Sequence, residues 1–239
     1  MKVCKKIEPN TCNNKKTSGG HNESFFSSST TTCAKLANKK ELCFYNFAIK
    51  NKLSILDYMP VMHSLCVMNG KPYIELENLK AGMKSPHELD IKLGKHSADY
   101  QDLRELGMNH FDAFMKATRM RSANVITELT DYKWSPRSRD FVGVPHQLVF
   151  SEYFNCSSGD LARAKMILEV KKIIDAMKEL LTMRIHGMSI LFIYDRDQPS
   201  NVRVKLIDFA HATSIMRKND SINYIIAGLE SLLVFMQLH

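Results

Sequence analysis

The stretch "SPHELDIKLGKHS", Ser85 to Ser97, most constrains what this chain can fold into. Leu89, Ile91 and Leu93 alternate with Asp90, Lys92 and Gly94. Successive side chains of a strand point to opposite faces, so as a strand this stretch has one apolar face and one bearing an acid, a base and a glycine. The apolar face needs a second layer to bury it. The polar face is either a solvated surface with an ion pair or a wall where a charged substrate meets a charged reagent. Two later apolar runs bear on the choice. "SILFIYD" ends in Asp195, and "KLIDF" places Asp208 directly after its apolar residues. A carboxylate at the end of a buried strand is costly without a partner. One such partner is Mg²⁺, which uses one or two carboxylates together with phosphate oxygens. A cap or a lysine is the alternative.

Around these three strands the pattern is mixed. Residues 1–18 are polar and without periodicity, and are expected to be loose. "SGGHNESFFSSSTTTCAKL" reads as two short strands joined by a loop. "NKKELCFYNFAIKN" has Leu42, Tyr45 and Ile49 at helical spacing. "CVMNGKPYIELENL" is a strand, a turn at Asn69-Gly70 and a second strand. Residues 98–130 carry apolar residues at helical spacing among charges, and "WSPRSRDFVGVPHQLVF" is expected to form a turn and strands. "SSGDLARAKMILEVKKIIDAMKELLTM" is the clearest helix, with Ser158 or Asp160 as its N-cap and a mostly apolar stripe through Leu161, Ala164, Ile167, Leu168, Lys171, Ile174, Met177 and Leu181. "INYIIAGLESLLVFMQLH" reads as a buried closing helix.

The chain has 239 residues, a net charge of +8 and 44% hydrophobic content. That length supports one domain or two closely packed lobes. The charge points to an anionic partner: nucleic acid, an acidic membrane surface or a phosphate-rich small molecule. No zinc-finger, RRM or basic-zipper pattern is present and there is one Trp, so nucleic acid is not required. No apolar run of membrane-spanning length occurs, and the N-terminus has no apolar core of a secretory signal. Six cysteines without metal-ligand spacing read as reduced thiols, which suits the cytoplasm, the nucleus or both.

Taken together the motifs resemble the inositol polyphosphate kinases. The family signature PxxxDxKxG stands here complete, from Pro86 through Asp90 and Lys92 to Gly94. The family's strand ending in Tyr-Asp is similar to "GMSILFIYD", where Ser189 matches the second serine and Met188 replaces the first. Its IDFAH is unchanged, Asp208 to His211 included. Its late glycine-rich helix resembles "NYIIAGLESLL", with Asn223 in place of a glycine. Upstream, Gly19 to His21 resembles the phosphate-covering hairpin, "KELCFY" the helix that follows, and "ELENL" the adenine hinge. The segment 98–160 is poorly matched.

The resemblance implies an α+β, two-lobed, protein-kinase-like fold. Residues 1–79 are then a β-rich lobe with the nucleotide hairpin and hinge. Residues 80–239 are a mixed lobe with the catalytic strands and an inositol-phosphate-binding helical segment at about 95–160. It implies ATP- and Mg²⁺-dependent phosphoryl transfer to a small-molecule inositol polyphosphate by a monomer with no membrane association. Lys35 would reach the α and β phosphates with Glu41 orienting it. The backbone of Glu77 and Leu79 would meet adenine. Asp208 would hold Mg²⁺ with Ser189 as helper. Lys92 would bridge the γ-phosphate and the acceptor, and Asp90 would be either general base or a ribose-binding orienter. Lys95, Lys116, Arg119, Arg121 and His211 are the candidate contacts to substrate phosphates, against the alternative of a solvated basic face and a structural histidine. The Glu-Asn of the hinge resembles the hexakisphosphate kinases, so the expected acceptor is inositol hexakisphosphate and the product a diphosphoinositol phosphate. The alternatives are a multikinase acting on tris-, tetrakis- or pentakisphosphates, and a catalytically weak phosphate-sensing protein.

Overall fold

The computed structural model describes residues 25–27, 29–68, 70–94, 104, 108–118, 132–135, 139–140, 146–156, 159–214 and 220–237. The expectations for residues 1–18, for Gly19 to His21, for Asn69 and for much of 98–130 lie outside the described residues.

Strands β1 (Phe25–Ser27) and β2 (Thr32–Leu36) pair antiparallel, as their β-branched run predicts. The loop between them is closed by Ser29, whose Oγ accepts from the Thr31 and Thr32 N–H groups. Helix α1 (Lys39–Asn51) starts at Asn38, whose side chain accepts from the N–H groups of Lys40 and Glu41. Its buried face is Glu41, Phe44, Tyr45 and Ala48, not the face through Leu42 and Ile49; Ile49 is 48% exposed. The face is turned because Phe44 stacks on Phe209, ring centroids 4.7 Å apart. Strands β3 (Met62–Met68) and β4 (Lys71–Glu77) form the expected hairpin, and Gly70 takes the positive φ that its turn requires. These strands make a four-stranded sheet in the order β1-β2-β4-β3.

The second sheet is built around the opening stretch. Strand β5 (Pro86–Lys92) is followed by helix α2 (His110–Thr118), strands β6 (Tyr132–Ser135) and β7 (Arg139–Asp140), and helices α3 (His146–Tyr153) and α4 (Gly159–Met177). Then come β8 (Met183–His186), β9 (Ser189–Asp195), β10 (Val202–Ile207), β11 (His211–Ser214) and helix α5 (Ser221–Gln237). The five-stranded sheet runs β10-β9-β5-β6-β7, and β8 pairs with β11 as a ribbon. One face of the larger sheet is the core face, where Leu89, Ile91, Ile190, Phe192, Val204 and Leu206 are all buried.

Two local expectations are corrected. Residues 146–150 were expected in a turn and strands but begin α3, whose Val149, Phe150 and Tyr153 are buried at helical spacing. In α4 the buried residues include the expected Ile174 and Met177, but the rest of the stripe is Ala162, Met166, Val170 and Ile173, while Leu161 and Leu168 are 50% and 56% exposed. At the helix start the Gly159 N–H donates to the Cys156 carbonyl, and a Cβ on Gly159 would lie 2.0 Å from the Phe154 carbonyl oxygen, so only glycine fits there. Asp160 lies inside the first turn and pairs with Arg163 rather than capping.

Asp195 needs no metal. It accepts from the N–H groups of Lys84 (2.8 Å), Ser85 (3.0 Å) and Asp197 (3.1 Å), and so ties the start of β5 to the end of β9. Burial alone would raise its pKa, but the three donors outweigh it and hold the carboxyl below its ordinary value. Asp195→Ala is expected to cost about 1–3 kcal/mol in urea unfolding, since three partly buried N–H donors lose a charged acceptor. The loss is full at neutral pH. It shrinks as pH falls through the depressed folded-state value, where the wild-type carboxyl is itself protonated.

Candidate functional site

The second face of the five-stranded sheet is arranged in rows by its register. Lys92 is opposite Ser189, which is opposite Ile207; Asp90 is opposite Leu191, which is opposite Lys205; Glu88 is opposite Ile193, which is opposite Arg203. Residues two apart share a face, so Glu88, Asp90 and Lys92 point the same way. The expected alternation of the opening stretch therefore holds, and its polar side is not a solvated surface: Glu88 and Asp90 are both 4% exposed.

At the Lys92 end, four side chains from separate elements form a chain of charges. Lys35 of β2 donates to Glu41 of α1 at 2.9 Å and to Asp208 Oδ1 at 3.1 Å. Lys92 of β5 donates to Asp208 Oδ2 at 2.6 Å and to the Gly187 carbonyl at 3.2 Å. Asp208 thus joins the smaller sheet to the larger. Burial alone would push the Asp208 carboxyl up, but Lys92 and Lys35 hold it well below the usual carboxylate range. Burial likewise opposes the charge on Lys35, but Asp208 and Glu41 outweigh it and raise its pKa above the ordinary lysine value.

Local structure delivers each group. Asp208 follows the last residue of β10 and has φ +68°, a left-handed conformation that a short polar side chain tolerates better than most. Phe209 is fully buried against Phe44 and Tyr45, so the residue after Asp208 is locked to the helix that carries Glu41. Gly94 has φ +82° and Ile225 lies 3.4 Å from where its Cβ would be, so the chain turns away after Lys92 against α5.

Ser189 has 0% exposure, and its Oγ has no hydrogen-bond partner among the described residues. A buried hydroxyl without a partner is costly. It sits opposite both Lys92 and the residue before Asp208. One carboxylate and one hydroxyl, completed by phosphate oxygens and water, suit a hard divalent cation. No group of three or more His, Cys, Asp or Glu side chains arranged to hold a metal occurs among the described residues.

Of the other expected residues, Glu77, Leu79 and His211 fall on described backbone outside this ion-pair chain. Glu77 ends β4, its N–H donating to the Val61 carbonyl, and Leu79 lies in the turn that follows. His211 opens β11 opposite His186, half-buried, three residues beyond Asp208. Lys116 falls on α2 with its side chain outside the described set, and Lys95, Arg119 and Arg121 lie outside the described residues. Three charged residues on the cleft face had not been anticipated. Glu88 pairs with Lys80 at 3.4 Å, and Arg203 and Lys205 reach backbone carbonyls of the N-terminal half. The signal for the last two is the alternation of Val202, Val204 and Leu206 with Arg203 and Lys205.

The family profile for inositol polyphosphate kinase matches residues 73–237, from β4 to the end of α5. Lys35 and Glu41 precede the matched residues. Among solved structures, the chain is similar to the inositol phosphate multikinase Ipk2 of S. cerevisiae, solved with ADP and Mn²⁺. The identity is 22% and the TM-score 0.61, over 87% of this chain and 98% of that one. It is also similar to a second inositol phosphate multikinase structure, at 19% identity and a TM-score of 0.56, over 83% of this chain and 98% of that one. No curated protein matches the sequence. A profile match over more than half the chain, on a shared fold, means that the chain belongs to the inositol polyphosphate kinase family and is a phosphotransferase of that kind.

Proposed function

We propose that the protein transfers the γ-phosphoryl group of ATP to inositol hexakisphosphate, forming a diphosphoinositol phosphate, with Mg²⁺ as the metal. The observation that carries the nucleotide half of this reading is Asp208, held between Lys35 and Lys92 where the two sheets meet. Residues 1–79 then cover the nucleotide from one side and residues 80–239 from the other. Phosphoryl transfer asks for positioning and charge neutralisation rather than covalent chemistry.

Lys35, oriented by Glu41, contacts the α and β phosphates. Asp208 and Ser189 hold Mg²⁺, which when bound neutralises charge on the phosphate oxygens. Lys92 moves from Asp208 to the transferring phosphoryl group and the acceptor oxygen, where negative charge concentrates. Asp90 is one row further along β5, about 7 Å of strand from Lys92 toward the row that meets the hinge. The ribose lies between the phosphates and the nucleobase, so in this reading Asp90 binds the ribose hydroxyls rather than acting as general base. His211 donates to an acceptor phosphate, and Lys95, Lys116, Arg119 and Arg121 supply the remaining cations.

The acceptor reading rests on the hinge Glu77-Asn78 and the net charge of +8. The likeness to two multikinase structures, each covered over 98% of its length, favours a second reading, in which lower inositol phosphates are the acceptors. Labelled ATP with a panel of inositol tris- to hexakisphosphates separates them. Transfer to hexakisphosphate with the highest kcat/KM is expected, and a higher value for tris- or tetrakisphosphate selects the second reading.

Lys92→Ala and Asp208→Asn are each expected to lower kcat by about 10²–10³-fold, the cost of removing an electrostatic group that acts in the transition state. Full rate in either variant would reject these assignments. The ion pairs of Asp208 stabilise the wild type above the ordinary carboxylate range and are lost as pH falls through its depressed folded-state value. The stability difference from Asp208→Asn should therefore be constant from about pH 5 to 9 and shrink in acid. For Asp90→Asn, the measurement is discrimination between ATP and 2′,3′-dideoxy-ATP. A ribose role predicts that the variant loses most of the wild type's preference for ATP, whereas a base role predicts a lowered kcat with the preference intact.

A further inference from the structure

The backbone of the turn after the hinge is held from below by Arg203. Arg203 Nη1 donates to the Asn78 carbonyl at 3.2 Å and Nη2 to the Ala81 carbonyl at 2.7 Å. The turn is also closed on itself, since the Ala81 N–H donates to the Asn78 carbonyl and the Lys80 N–H to Asn78 Oδ1. Lys80 reaches down to Glu88, in the same row as Arg203. On the opposite side Asn78 grips the loop between β1 and β2. Its N–H donates to the Thr31 carbonyl at 2.8 Å and its Nδ2 to the Thr30 carbonyl at 3.0 Å. Asn78 is therefore the joint between the nucleotide-side loop and the larger sheet, and Arg203 is what fixes that joint to the sheet.

Turn carbonyls on a half-buried surface can be satisfied by water. A planar guanidinium instead sets two of them at one fixed separation and angle. A nucleotide base that bonds to hinge backbone groups depends on that placement, because binding geometry tolerates errors well below 1 Å. We propose that Arg203 is a positioning residue for the nucleotide base, acting through the carbonyls of Asn78 and Ala81. The inference rests on the reading of Glu77 and Leu79 as the base-binding hinge. It concerns the base alone, since Arg203 lies two rows from Lys92 and touches neither Lys35 nor Asp208.

The test is calorimetric binding of Mg-ATP and of Mg-tripolyphosphate, which has the phosphates and no base, with melting temperature recorded for each variant. Arg203→Ala is expected to weaken ATP by about tenfold and to leave tripolyphosphate unchanged. Arg203→Lys, which keeps a donor without the fork, should recover part of the loss. Equal weakening of both ligands, or unchanged ATP affinity with a lowered melting temperature, would overturn the proposal and leave Arg203 a structural residue. If Arg203→Ala does not fold, the lysine variant carries the same comparison: a selective fall in ATP affinity supports the proposal and a parallel fall overturns it. The measurement uses no acceptor. Wild type that binds Mg-ATP more tightly than Mg-tripolyphosphate but phosphorylates no inositol phosphate would sink the substrate reading alone. Wild type that binds the two equally would sink the hinge reading and this inference with it.

Discussion

A single carboxylate between two ammonium groups holds the two sheets in relation to each other. Asp208 is bound from above by Lys35 and from below by Lys92, and Lys35 is shared with the buried Glu41. The four charges sum to zero, which limits the cost of partly desolvating them between the two sheets. The arrangement carries a conformational cost, because Asp208 stands at positive φ, on the order of 1–3 kcal/mol for a non-glycine residue. Charge-assisted hydrogen bonds on both carboxylate oxygens, the one from Lys92 short, offset it. The same feature makes the site responsive. Each ammonium is held by a partner that a polyphosphate can replace, so the lysines are kept charged and oriented without being committed.

The remaining polar contacts across the cleft are of a different kind. Lys205 donates to the carbonyls of Asp57 and Met59, and Glu179 accepts from the N–H and hydroxyl of Ser54. Together they hold both ends of the short 3-10 turn Ser54–Tyr58. These contacts join side chains of the C-terminal half to backbone of the N-terminal half, with the Ser54 hydroxyl added at one end. The backbone contacts depend on where the chain runs rather than on which residues it shows there. The ion-pair chain, by contrast, depends on side-chain identity at every member.

That contrast accounts for what could be read from the sequence. The strands at 86–92, 189–195 and 202–207 were legible because an apolar layer imposes alternation, and the three polar positions Asp90, Lys92 and Asp208 stood out against it. The hairpin at Gly70 was legible because few residues accept its backbone. The α4 stripe is legible at Ile174 and Met177 but not at its start, where the leucines at 161 and 168 look like core yet face outward. Residues 146–150 looked like strand by composition, although Pro145 before them is a helix-start signal as much as a turn signal. Arg203 and Lys205 leave no trace in a motif because their partners are backbone carbonyls more than a hundred residues away. No motif records a carbonyl.

Asp195 bears on how the site tolerates change in chain length. It clamps the residues just before β5 to the end of β9, so the count from that clamp to Lys92 decides which face each side chain takes. A single residue inserted or deleted between Pro86 and Lys92 would send Lys92 and Asp90 into the apolar core and bring Ile91 and Leu89 into the cleft. Substitutions here can be graded in their effect. Insertions and deletions cannot, because this strand has only two phases and just one of them has an active site.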